Sequence, residues 1–195
     1  MYRYYKQARN AAWKALIESG ISSLPVDLGA VAHRYGIRIA AYSRCSACQL
    51  FKPNEISRDG FITQVDDVTI IFVNDLRHTH ARRRFTVGHE LGHFCLGHPR
   101  DIIHTRNNEI DSSIDVLEMQ ANIFARDLLM PSGVLNALNV TTPDEIMRVC
   151  DISRTSSQIR AERLALLRNR NMFGTHPLEL QVLDQFSDYI RQYKQ

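Results

Sequence analysis

The segment His89-Glu90-Leu91-Gly92-His93 constrains the fold of this chain more than any other stretch of its sequence. Residues four positions apart lie on one face of an α-helix, so a helical segment lets both imidazoles converge on a single ion. Catalytic zinc takes three protein ligands, often imidazole nitrogens, and keeps a fourth position open for water. The glutamate after the first histidine is the general base of the metalloprotease signature. The pattern therefore predicts a helix that offers His89 and His93 to zinc and Glu90 to water.

A third ligand must come from elsewhere, because two histidines alone hold zinc poorly. The metzincin pattern asks for histidine at position 99, which is proline here, so His98 is expected to lie at the helix end in a structural role. Glu118 lies beside the apolar stripe of a second predicted helix, with Asn122 one turn later on the same face. Burial of a carboxylate is costly unless it is paired, and a metal ion would pair it. A solvent-facing Glu118, or one paired with Arg126, fits the spacing equally well.

Two blocks of sequence, one on each of these helices, form a joint pattern. They read Arg84-Phe85-Thr86-x-x-His89-Glu90-Leu91-Gly92-His93 and Glu118-x-x-Ala121-Asn122-x-Phe124-Ala125-x-x-Leu128-Leu129-Met130-Pro131. Over roughly residues 20–135 the chain resembles the ImmA/IrrE metallo-endopeptidases. The resemblance implies a zincin-like fold, with His89, His93 and Glu118 as zinc ligands and Glu90 as catalytic base. Asn122 would orient a ligand or a helix without binding the metal.

The same resemblance implies a class of substrate. Characterised members of the family cleave helix-turn-helix transcriptional repressors of phages or mobile elements and so relieve repression. The chain departs from the family pattern at Val87-Gly88 and at Arg126-Asp127, and neither departure removes a catalytic group.

Periodicity predicts helices together with a few short strands, and so an α+β fold. The resemblance implies that the small β-sheet packs on the helices of a zincin-like metallopeptidase core and that a helical extension follows. Helices are predicted at about residues 4–19, 25–35, 114–130, 142–149, 153–167 and 178–193, and strands at about 37–42, 61–65 and 68–73. Asp66-Asp67 can form a two-residue hairpin turn between the last two strands. We expect a peptidase domain over 1–135, a helix-turn-helix-like subdomain over 136–172, and a linker with an amphipathic helix over 173–195.

The helix-turn-helix-like segment has two interpretations. Its second helix carries Arg154, Arg160, Arg163, Arg168 and Arg170, which can contact phosphate, and Ser156, Ser157 and Gln158 would then lie near base edges. The turn lacks glycine and the formal net charge is only +3, so we favour an αα-hairpin packed on the peptidase over DNA binding. The stripe of the last helix can dock on its own domain or on a partner; it comprises Leu180, Leu183, Phe186, Tyr189 and Ile190.

Composition places the chain among ordinary globular proteins. Charged residues make up 23% and apolar residues 44% of the 195 residues, and no run of eighteen apolar residues could span a membrane. The first residues lack the apolar region of a signal peptide, so a cytoplasmic location with reduced thiols is expected. Cys45 and Cys48 are then incidental loop cysteines, since a structural zinc would need two further ligands.

The combined prediction is a zinc endopeptidase that acts on a protein substrate, and the resemblance implies that this substrate is a helix-turn-helix repressor. An extended substrate could pair with a sheet edge, for example the 68–73 strand, and His104 or His176 could stabilise the oxyanion. The basic run formed by His78, His80 and Arg82–Arg84 is either a solvated helix start or a patch for an acidic partner. One alternative is a regulatory DNA- or repressor-binding module with a structural or vestigial zinc site. A zinc hydrolase of non-peptide bonds is the other.

Overall fold

The computed structural model of the chain describes residues 2–45, 59–76, 78–98 and 112–195. Predictions that concern Cys48, Pro99 and His104 lie outside these residues. The helices are α1 (Tyr2–Glu18), α2 (Leu28–Arg34), α3 (His80–Cys95), α4 (Ser112–Leu129), α5 (Ser132–Ala137), α6 (Pro143–Cys150), α7 (Arg154–Asn169), α8 (Pro177–Gln185) and α9 (Ser187–Tyr193). The strands are β1 (Ile37–Ala41), β2 (Gly60–Val65) and β3 (Val68–Val73), so the predicted α+β class is confirmed.

The three strands form one sheet in the order β1-β3-β2. β1 runs parallel to β3, while β2 runs antiparallel to it through the hairpin at Asp66 and Asp67. Both aspartates have positive φ, 45° and 63°, as a two-residue turn with the right twist requires. β3 is therefore paired on both sides, and the suggestion that the 68–73 strand offers an edge to substrate is wrong.

Helices α3 and α4 pack closely because glycine removes the side chain where they meet. A Cβ added at Gly92 would lie 3.1 Å from both the Cα and the carbonyl oxygen of Ala121. One turn earlier, a Cβ at Gly88 would meet the Cβ of Ala125 at 3.4 Å, an ordinary contact. Thr79 caps α3 by accepting a hydrogen bond from the backbone N–H of Arg82. The two helices that carry the predicted site are thus held in direct contact.

Helix α2 begins later than predicted. Pro25 was expected in its first turn, but the N-cap is Asp27, whose carboxylate accepts a hydrogen bond from the N–H of Ala30. An aspartate side chain satisfies an otherwise orphaned helical N–H, which proline cannot do. The end of α2 is as predicted, since Gly36 adopts a positive φ of 66° just beyond it.

Helix α7 packs on the rest of the chain, as the favoured αα-hairpin interpretation predicts. Its inner face contains Ser157, Arg160 and Leu164, which are 0%, 1% and 0% exposed. Arg160 Nη1 lies 2.8 Å from Asp127 Oδ1 on α4. The less favoured DNA-binding interpretation, in which Arg160 contacts phosphate and Ser157 lies near base edges, is therefore wrong for these two residues. The turn before α7 needs no glycine, because Asp151 supplies the left-handed conformation with φ 52°.

The predicted C-terminal helix over 178–193 is instead two helices, α8 and α9, separated at Phe186. Phe186 and Val182 are 0% and 2% exposed and belong to the main apolar core, so the stripe docks on its own chain. Leu180, which the prediction placed in that stripe, is 51% exposed. Gln185 Nε2 donates to two backbone carbonyls, that of Leu16 in the last turn of α1 at 2.9 Å and that of Ile21 in the loop after α1 at 2.6 Å.

One apolar cluster contains residues from all three predicted segments, among them Leu16, Leu128, Leu164 and Phe186. The segment boundaries after residues 135 and 172 stay predictions. Among the residues that the structure describes, no helix is both long enough and apolar enough to cross a membrane.

Candidate metal centre

Three side chains from α3 and α4 converge at the face where these helices meet. His89 and His93 direct their Nε2 atoms at one another across 3.0 Å. Glu118 lies opposite, with Oε2 at 3.3 Å from His89 Nε2 and Oε1 at 3.5 Å from His93 Nε2. The candidate ligand atoms all lie within 4.8 Å of one another, so they could hold a metal ion. Two imidazole nitrogens and a carboxylate form the donor set that suits a catalytic zinc.

The structure places the Glu118 side chain against the two histidines and away from Arg126. The carboxylate is neither fully in solvent nor paired with Arg126, because Arg126 Nη2 instead contacts Asp127 Oδ2 at 2.8 Å. The Glu118 side chain is 29% exposed, against 14% for His89 and 8% for His93. The cluster is therefore buried on the histidine side and reachable from solvent on the carboxylate side.

Charge within the cluster shifts the protonation of its members. Hydrogen bonds to His89 and His93 hold the pKa of Glu118 well below its ordinary value, against the opposing effect of burial. Burial lowers the pKa of His89, but its hydrogen bond to Glu118 and the nearby charge of Glu90 outweigh burial and raise it. These shifts favour a protonated His89 imidazole beside the Glu118 carboxylate. A metal ion would replace that proton, since only the neutral ring is a ligand.

Glu90 is buried, with 6% of its surface exposed. It lies next to His89 on α3, and its charge contributes to the raised pKa of that histidine. A buried carboxylate close to the ligand set is suited to accept a proton from a water molecule there.

The second ring nitrogen of His89, Nδ1, contacts Asn122, the residue that the sequence suggested for this role. His89 Nδ1 lies 3.0 Å from Asn122 Oδ1. An amide oxygen only accepts, so Nδ1 donates to Asn122, and Nε2 is the nitrogen that would give up its proton to bind a metal ion.

The outer nitrogen of His93 is held by a residue that sequence reasoning placed correctly but interpreted incompletely. His98 lies at the helix end, as expected, yet its Nδ1 is 3.0 Å from His93 Nδ1. Burial, together with the charge of His93, lowers the pKa of His98 to about 4, so this imidazole is neutral at physiological pH. Gly97, with φ 67°, was the available signal, because a left-handed glycine after a helix folds the next residue back over its last turn.

His176 does not contact this cluster and is not an oxyanion stabiliser. It caps α8 by accepting from the N–H of Leu178 at 3.2 Å, and its Nε2 lies 3.4 Å from Asn10 Nδ2. Its ring packs on Trp13 with centroids 5.2 Å apart. Both nitrogens are used within the α1–α8 contact.

The basic run before and within α3 is largely paired inside the chain. His78 Nε2 lies 2.9 Å from Asp59 Oδ1, and Arg82 also pairs with Asp59. His80 Nε2 lies 2.9 Å from Asp151 Oδ2. Arg84 donates to the carbonyl oxygen of Val26 at 2.9 Å. These contacts favour a structural use of the run over a patch for an acidic partner.

A family model described as the IrrE N-terminal-like domain, a peptidase domain, matches residues 32–160 of the chain. The match is well over half of the chain and includes α3 and α4 with all three converging side chains. The comparison with curated proteins gave no significant match.

Proposed function

Because the chain belongs to the peptidase family of the IrrE N-terminal-like domain, we propose that it is a zinc-dependent endopeptidase. The observation that carries the proposal is the convergence of His89, His93 and Glu118 within 4.8 Å, with the buried Glu90 on the same helix as the two histidines. A purely structural metal site has no need of Glu90. Two nitrogens and a carboxylate oxygen favour zinc over the oxygen-seeking magnesium and calcium.

Each residue has a definite task in this proposal. His89 and His93 would hold zinc through Nε2, and Glu118 would hold it through its carboxylate. Zinc, when bound, polarises the scissile carbonyl and lowers the pKa of a water molecule from 15.7 towards roughly 7. The Glu90 carboxylate accepts one proton from the attacking water as the new C–O bond forms, and delivers it to the leaving nitrogen as the C–N bond breaks. Asn122 keeps Nδ1 of His89 protonated and so keeps Nε2 available.

The proposed substrate is a helix-turn-helix transcriptional repressor of a phage or mobile element, and its cleavage would relieve repression. This part of the proposal is supported by the family resemblance of the two sequence blocks on α3 and α4. A repressor of this kind acts on DNA in the cytoplasm, so the proposal implies a cytoplasmic peptidase.

The test compares metal content with cleavage in matched variants. Purified wild-type chain should hold one zinc by mass spectrometry of the metal and should cleave the repressor encoded beside its gene. Glu90→Gln should keep zinc and lose cleavage by roughly 10²–10⁴-fold, the usual contribution of a general base. Glu118→Ala should lose or sharply weaken zinc. Glu162→Gln changes an exposed glutamate on α7 and should alter neither property.

The outcomes separate the parts of the proposal. Full cleavage by Glu90→Gln would overturn the base role, and zinc unaffected by Glu118→Ala would overturn the third ligand. Zinc binding with no cleavage of any repressor, together with tight binding of an intact repressor, would indicate a regulatory module instead.

A further inference from the structure

The end of α3 folds His98 back onto His93. The backbone N–H of His98 donates to the carbonyl of His93 at 3.0 Å, and the N–H of Gly97 donates to the carbonyl of Phe94 at 3.1 Å. This pair of bonds, with Gly97 at φ 67°, is the Schellman arrangement of a helix end. Its usual accompaniment is an apolar contact between the two outer residues. Here the contact is between imidazoles, whose ring centroids lie 5.0 Å apart at 74°.

Gln120 on α4 sets the direction of hydrogen bonding at His98. The amide nitrogen of Gln120 donates to the backbone carbonyl of Tyr4 and to Gln7 Oε1, each at 3.3 Å. A carbonyl can only accept, so the amide orientation is fixed and Gln120 Oε1 is left to accept. Gln120 also hydrogen-bonds the side chain of His98. Since Nδ1 of His98 faces His93, the proton given to Gln120 must be on Nε2 of His98.

This polarity continues to the metal centre. When His93 binds a metal ion through Nε2, its one ring proton is on Nδ1, so His98 must accept at Nδ1. The partner across 3.0 Å, His93 Nδ1, must then donate. The lone pair of His93 Nε2 is then available to a metal ion held between His89 and Glu118.

We propose that His98, aligned by Gln120, is the positioning residue that fixes the ring and tautomer of His93 for metal binding. The proposal rests on the zinc site proposed above and extends it to two residues that lie beyond the ligands. Gln120 is 3% exposed, and its donors reach α1, so the relay links the first helix of the chain to the metal centre. Asn122, which holds the other histidine, is exposed on α4. The residue that aligns His98 on the His93 side is therefore better shielded from competing water than Asn122, which contacts His89.

Zinc affinity tests the relay without any substrate. His98→Phe keeps a planar ring but removes the acceptor. It should raise the zinc dissociation constant by roughly 10–100-fold, the usual effect of losing a residue that orients a ligand. In His98→Asn, the side-chain oxygen occupies nearly the position of Nδ1, so zinc affinity should return to within about threefold of wild type. His33→Phe, at an exposed histidine of α2, is the matched control and should bind zinc as wild type does. Affinity is measured by competition with a chromogenic chelator, after circular dichroism has verified folding of each variant.

A spectroscopic readout tests the polarity directly. Nitrogen-15 spectra of the zinc-loaded chain should show His98 protonated at Nε2 and bare at Nδ1, with scalar coupling across the His93–His98 hydrogen bond. Gln120→Leu should reduce that preference. Wild-type zinc affinity in His98→Phe, an affinity of His98→Asn as weak as that of His98→Phe, or a proton on Nδ1 of His98 would each overturn the proposal. If repressor cleavage fails while these readouts hold, the endopeptidase proposal fails and the positioning role stands.

Discussion

The removal of Asp127 should destabilise the fold severely, because this carboxylate compensates buried arginine charge. Asp127 is 2% exposed and Arg160 is 1% exposed, and they meet at 2.8 Å between Oδ1 and Nη1. The second carboxylate oxygen contacts Arg126 Nη2, also at 2.8 Å. In Asp127→Ala, the backbone carbonyl of Met130 is the hydrogen-bond acceptor left to Arg160 among the described residues. The guanidinium would then be a buried charge with no counter-charge in contact.

Breaking a buried ion pair from one side costs about 3–5 kcal/mol. A chain of this size loses about 2–4 °C of melting temperature per kcal/mol, so Asp127→Ala should melt roughly 6–20 °C below wild type. The matched control is Asp144→Ala, because Asp144 pairs with Arg154 at 3.4 Å where the two side chains are 66% and 74% exposed. That surface pair contributes at most about 1 kcal/mol. Urea titration and thermal melts of both variants measure the difference.

The pH dependence of the same variant provides an independent check. Burial opposes ionisation of Asp127, but Arg160 and Arg126 outweigh it and hold the pKa of the carboxyl below its ordinary value. A depressed pKa contributes stability that is complete above the unfolded value, about 3.9, and is lost as the pH falls through the folded value. Wild type should therefore lose this contribution on acidification, and Asp127→Ala should not.

Two results would refute the reasoning. The first is a loss below about 1 kcal/mol in Asp127→Ala, which would make the buried pair equivalent to a surface pair. The second concerns the double variant Asp127→Leu with Arg160→Met, which removes both charges. It should be more stable than Asp127→Ala, and a lower stability would mean that packing, and not charge, dominates this part of the core.

Four further substitutions test the packing and the turns, each by urea denaturation. Gly92→Ala should destabilise the fold by about 1–3 kcal/mol, since its Cβ would crowd the backbone of Ala121 at 3.1 Å. Gly88→Ala should be neutral or stabilising, because alanine has the higher helix propensity. Equal effects of the two variants on stability would contradict the close approach at Gly92. Thr142→Ala should cost about 1 kcal/mol because it removes the capping box of α6, and an unchanged midpoint would contradict that role. Asp67→Gly should stabilise the hairpin by about 0.5–1 kcal/mol, since φ is 63° there; a loss of stability would show that the aspartate side chain matters more than its backbone strain.

The parts of the fold that follow from local chemistry were predictable from sequence. The spacing of His89 and His93 requires a helix, and α3 carries both. The aspartate pair at 66–67 forms the hairpin turn, and Thr142 with Glu145 forms the capping box that begins α6. These features depend on residues that are neighbours in the chain.

The features that were missed depend on residues that are distant in the chain. Arg160 lies in a polar helix and would be expected on the surface, because arginine is almost never fully buried unless paired. Its burial depends on Asp127, a residue of another helix. In the same way, local sequence gives the turn at Gly97, but the contact of His98 with His93 and Gln120 requires α3 and α4 to be packed first. Pairing across elements is the information that periodicity lacks.

The contact between α8 and α1 has a consequence for synthesis of the protein. The ribosome synthesises α1 first. The carbonyls of Leu16 and Ile21 can accept their hydrogen bonds from Gln185 only after more than 150 intervening residues have been translated. A nascent chain that has reached the end of α4 already contains His89, His93 and Glu118, but the apolar surface that Phe186 covers is still open. The two helices of the candidate metal centre are thus synthesised well before the core around them can close.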